Sequence, residues 1–106
     1  MKKAYAKAIP APWRRVASIF AALGDPHRQR MLLLFEPREK LSIAQIVDAS
    51  SLSRSAVAHH LRILQEAGVL TREKVGKEVH FSPDIDSVRN ALAAVEDYLR
   101  DMQAGR

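Results

Sequence analysis

Residues 42–82 impose the tightest constraint on the fold: two short amphipathic helices separated by a brief break, then two β-branched strands joined at a glycine. Ser42 stands where the first of these helices begins, and Gln45 follows at the spacing of a capping box. Ser50, Ser51 and Leu52 interrupt the helical pattern for the length of a helix-turn-helix corner. Ser53 caps a second helix in which Val57, Leu61 and Leu64 recur at spacings of four and three, a single buried stripe. Gly68 ends that helix where a left-handed cap residue belongs. The hairpin follows at 70–75 and 78–82, with Gly76-Lys77 as its turn.

A helix buried along Val57, Leu61 and Leu64 leaves Ser53, Arg54, Ser55, Ala58, His59 and Arg62 on its outer side. That face carries cations and hydrogen-bonding groups, as a helix lying in a major groove requires. Arg72, Lys74 and Lys77 add cations on the strands and tip of the hairpin, suited to a flanking phosphate backbone. These nine residues are the expected DNA-binding set. The alternative is a winged helix that only packs on another protein, and the cationic 54–77 surface argues against it.

The net charge of +5 is unevenly distributed. Residues 1–15 hold Lys2, Lys3, Lys7, Arg14 and Arg15 and no acid; residues 54–77 carry five cations against Glu66 and Glu73; residues 78–106 are acidic on balance. Positive charge on the body of the chain thus coincides with the second helix and hairpin, which favours a nucleic-acid partner. At 106 residues the chain holds one modest core. No apolar run approaches the length of a membrane span, so no membrane partner is expected. The opening MKKAYAKAIPAPWRR has charge without a continuous apolar stretch behind it, unlike a secretory signal. The absence of cysteine excludes disulfides and thiolate chemistry and fits a cytoplasmic location. No nucleophile, base and orienting group fall at a recognisable spacing, so an enzyme and a cofactor are not expected.

Residues 1–12, with Pro10 and Pro12, are expected to form a mobile basic arm, and 13–106 the folded domain. Trp13, Val16, Ile19, Phe20 and Leu23 mark a first helix ended by Gly24. Asp25-Pro26 restarts a second helix that should run through Met31, Leu32, Leu34 and Phe35 to Pro37. Ser82-Pro83 gives the same cap-then-proline signal for a last helix. There Ile85, Val88, Leu92, Val95, Leu99 and Met102 alternate spacings of three and four, a seam suited to another helix. The expected fold is mainly α with a small β-hairpin. Of the histidines, His59 faces the groove side, and His27, His60 and His80 are structural. Adjacent His59 and His60 stand about 100° apart on the helix and cannot chelate one ion from a single face.

Three segments, ALGDPHRQRMLLL, SRSAVAHHLRILQEAGVL and GKEVHF, in this order resemble the ArsR/SmtB family of winged helix-turn-helix repressors, over roughly residues 16–103. The resemblance implies a homodimer formed through the first and last helices, with Val16, Ile19, Phe20, Val88, Leu92, Val95 and Leu99 at the interface. It also implies a near-palindromic operator in double-stranded DNA. Many members release DNA on sensing a metal. The family's thiolate site falls on Ser42 and Ala44, and its carboxylate–histidine site on Asp84, Asp86, Asp97 and Arg100. Neither set offers thiolates or imidazoles, and Arg100 opposes a cation, so no metal site is expected. The inducer is left open, a small organic molecule among the choices. Ser51 replaces the glycine usual at the corner, which would cost strain if φ were positive there.

Overall fold

The computed structural model describes residues 4–5 and 7–105, with five helices and three strands. Helix α1 spans Ala11–Leu23, α2 Pro26–Leu32, α3 Ile43–Ala49, α4 Arg54–Glu66 and α5 Ile85–Gln103. Strands β1 (Leu41–Ser42), β2 (Leu70–Val75) and β3 (Glu78–Pro83) form one antiparallel sheet in the order β1-β3-β2. The hairpin is therefore extended to three strands. Leu41 pairs with Phe81 and Ser42 with His80, which ties the start of α3 to the wing.

Local chemistry sets most helix ends. Ser42 Oγ accepts from the Gln45 N–H at 3.2 Å while Gln45 Oε1 accepts from the Ser42 N–H at 2.8 Å, closing the capping box. Ser53 Oγ accepts from the Ala56 N–H, and Asp25 Oδ1 from the N–H groups of His27 and Arg28. In the corner, Ser50 Oγ accepts from the Leu52 N–H at 3.2 Å. Ser51 is not strained: Arg38 alone among the described non-glycine residues has positive φ, at 65°.

Three ends depart from expectation. Helix α1 starts at Ala11, inside the expected arm, because Pro12 sits where a helix has no partner for an N–H. The rest of that arm lies partly outside the described residues. Helix α2 stops at Leu32, and the N–H groups of Leu34 and Phe35 turn back on the carbonyls three residues earlier, Met31 and Leu32. Pro83 closes β3, so α5 is capped by Asp84, whose Oδ1 accepts from the Ser87 N–H at 3.1 Å, and not by Ser82.

Gly68 performs the expected cap. Its φ is 86°, its N–H reaches the Gln65 carbonyl at 3.0 Å, and the Val69 N–H reaches Leu64 at 2.9 Å, a complete Schellman closure. A Cβ at this position would stand 2.9 Å from Ser87 Oγ. Gly68→Ala is expected to cost about 1–2 kcal/mol from the left-handed backbone alone, more where Ser87 cannot yield. Urea unfolding of the two proteins measures it.

The core joins α1, α3, α4 and the base of the sheet. Ile19, Ile46, Val57, Leu61, Leu64, Val69 and Leu70 are fully buried, each contributing roughly 1.5–3 kcal/mol of burial. Val16 and Ile19, expected at a dimer interface, lie inside this core at 5% and 0% exposure. A domain of this size uses the strongest stripe of α1 to close its own interior. Trp13 meets Tyr98 of α5 edge to face, with ring centres 5.8 Å apart. The large apolar side chains that α1 and α5 leave outside are Phe20, Ile85, Leu92, Tyr98, Leu99 and Met102, while Val88 and Val95 are half-buried.

Candidate nucleic-acid interface

Helix α4 is held with one side in the core and the other in solvent. Val57, Leu61 and Leu64 anchor it, and Ser53, Arg54, Ser55, Ala58, His59 and Arg62 are all exposed. Few internal contacts occupy these groups. Ser53 Oγ lies 3.3 Å from Ser55 Oγ, and Arg62 Nε is 3.9 Å from Glu66, an exposed pair worth little in water. Arg54, Arg62 and His59 therefore keep donor capacity for a partner.

The wing is arranged by its register. Arg72 pairs with Phe81 and Lys74 with Val79, so both cations stand on the sheet face that carries Leu70 and Phe81. At the root of the hairpin that face is core, and farther out it becomes cationic and exposed. Glu73 points to the other face. There the Lys40 ammonium donates to both carboxylate oxygens at 2.9 and 3.1 Å, reaching across β3. The Lys40–Glu73 pair is not legible in the sequence, because its partners lie 33 residues apart and the contact depends on sheet register. Lys77 occupies the turn beside Gly76, whose φ is 62°.

Behind α4 a second polar cluster fixes its position relative to α1 and α2. The Arg28 guanidinium donates to the carbonyls of Ala22 at 2.7 Å and Ala21 at 3.3 Å, and its Nη1 lies 3.3 Å from His60 Nδ1. That nitrogen accepts, so the ring is neutral in this arrangement. Burial pushes the His60 imidazole below its ordinary value; Arg28, His59 and His27 add to the effect and Asp25 opposes it. Partial desolvation would raise the Asp25 carboxyl. The N–H groups of Arg28 and His27, with nearby positive charge, outweigh it and hold the group low. His60 thus packs against the scaffold, whereas His59 faces outward; His27 is exposed, its ring centre 5.7 Å from that of His60.

On the last helix the acids have different surroundings. Asp84 is occupied as the cap of α5, Asp86 is exposed in the first turn, and Asp97 lies 3.6 Å from Arg100. Among the described residues no helix is long and apolar enough to cross a membrane.

Residues 23–73 match the profile of a helix-turn-helix domain family. The chain is 33% identical over 88 residues to a transcriptional repressor SmtB homolog of Synechocystis, covering 83% of this chain and 66% of that protein. It is 31% identical over 91 residues to the cadmium resistance transcriptional regulatory protein CadC homolog of Staphylococcus aureus, covering 86% of this chain and 73% of that protein. An ArsR-like transcriptional regulator from a Rhodococcus species superposes with a TM-score of 0.83 at 26% identity, over 90% of this chain and 89% of the other. The chain belongs to the ArsR/SmtB family of winged helix-turn-helix transcriptional regulators, a family of DNA-binding regulators and not of enzymes.

Proposed function

We propose that this chain is a cytoplasmic, homodimeric repressor that binds a near-palindromic operator in double-stranded DNA. The observation that carries the reading is the division of α4: three apolar side chains in the core, and Arg54, His59 and Arg62 on the opposite, solvent side beside a cationic wing. In this reading Ser53, Arg54, Ser55, Ala58, His59 and Arg62 meet the major groove. Arg72, Lys74 and Lys77 meet phosphates. Dimerisation uses the faces of α1 and α5 left uncovered, with Phe20, Leu92 and Leu99 at 45%, 51% and 53% exposure and Val88 and Val95 at the edge. The likeness to a repressor supports the direction of regulation. An electrophoretic shift with DNA from upstream of the chain's own gene tests it, and failure of all such DNA to shift would contradict it.

The protein without metal is the DNA-binding form in this account. Ser42 spends its hydroxyl on the capping box, Ala44 has no ligand, Asp84 is a cap, and Arg100 stands beside Asp97. Zinc, cadmium and arsenite are therefore expected to leave operator affinity unchanged. Titration of Zn²⁺ into the complex, repeated with Asp84, Asp86 and Asp97 changed to asparagine, checks this. Micromolar release that disappears in the substituted protein would reveal a working sensor. An organic inducer remains compatible with this account.

A further inference from the structure

Arg54 opens the recognition helix and Lys77 sits at the wing tip, yet both line one cleft of about 240 Å³. Its other walls are Ser42, Ile43 and Ala44 at the start of α3, with Glu78 and Val79 from β3. The β1–β3 pairing brings them together: Ser42 is joined to His80, so the wing stem lies against the start of the helix-turn-helix. No ion pair within 4 Å engages Arg54 or Lys77 among the described residues, and Glu78 is 4.0 Å from His80. Two cations and one carboxylate thus share the cleft, an excess of one positive charge. That balances a phosphodiester, which carries one negative charge. Ser42 Oγ is already engaged with the Gln45 N–H.

Resting on the reading of the protein as a DNA-binding regulator, we infer that this cleft is a single phosphodiester subsite in which Arg54 and Lys77 close on the same backbone phosphate. Arg54, at the edge of the major groove, then positions the recognition helix in register with the wing through the backbone. Glu78 moderates the attraction, which limits retention on DNA of arbitrary sequence. The clamp couples two elements that would otherwise contact the backbone independently.

Salt dependence separates one shared phosphate from two. Arg54→Ala, Lys77→Ala and the double variant are titrated with an operator duplex at several salt concentrations, with circular dichroism confirming the fold. For a shared phosphate, the double variant flattens the slope of log affinity against log salt by about 0.9; two independent contacts would flatten it by about 1.8. A duplex series with one neutral methylphosphonate at each backbone position then locates the contact. One position is expected to cancel the effects of both single variants, whereas two separate positions would overturn the clamp while leaving DNA binding intact. Wild-type protein that binds no duplex would overturn the underlying reading as well. Glu78→Gln is expected to tighten binding to non-operator DNA, and unchanged or weaker binding would overturn the role given to Glu78.

Discussion

Arg62→Ala is expected to weaken operator binding by tenfold to more than a hundredfold, whereas Arg89→Ala on the last helix changes it only slightly. Arg62 stands on the solvent side of α4, one residue beyond buried Leu61, where its guanidinium can reach a base edge. A bidentate contact of that kind contributes roughly 1–3 kcal/mol of discrimination. Its neighbour Glu66 holds it only loosely, at 3.9 Å with both side chains in water, so little is lost in freeing it for DNA. The loss should be greater for the operator than for unrelated DNA, because a base contact is specific and a phosphate contact is not. Fluorescence anisotropy with both duplexes measures the two losses. Equal effects of Arg62→Ala and Arg89→Ala on the operator would contradict this placement of α4.

Leu92→Glu is expected to convert the proposed dimer into folded monomers at micromolar concentration and to abolish high-affinity operator binding. Leu92 is 51% exposed in the single chain, so the monomer's core does not depend on it. In a two-fold dimer the substitution places a carboxylate from each protomer in an apolar seam, a penalty of several kcal/mol through desolvation and like-charge repulsion. Ile19→Glu, by contrast, puts a charge at a fully buried core position and should prevent folding. Sedimentation equilibrium together with thermal unfolding distinguishes the two. A Leu92→Glu protein that remains dimeric would move the interface away from the exposed face of α5.

The features legible in the sequence are those whose partners lie within a few residues. Asp25, Ser42 with Gln45, Ser53 and Gly68 each act on backbone groups of their own helix, and each stands where its local pattern places it. The stripe Val57, Leu61, Leu64 likewise determines the outward face of α4 without knowledge of the rest of the chain. Features that depend on tertiary pairing were not legible. Strand β1 is two residues long and exists because Leu41 and Ser42 meet Phe81 and His80. The Lys40–Glu73 and Arg28–His60 contacts join residues 33 and 32 positions apart. Val16 and Ile19, expected at a dimer interface and buried in the chain's own core, are a related case. An apolar stripe announces burial, but periodicity does not say whether a protomer's own core or a second copy provides it. The Arg54–Lys77 cleft belongs to the same class, since only the sheet register brings the wing to the start of α4.

Hydroxyl-radical footprinting of the wild-type protein on DNA from upstream of its own gene tests the central claim most directly. Two recognition helices related by a two-fold axis should protect two symmetric half-sites whose centres lie about one helical turn, ~10 bp, apart. Arg62→Ala should erase both protections together. A single protected half-site without a symmetry mate, or no protection at concentrations where the protein is dimeric, would contradict the account.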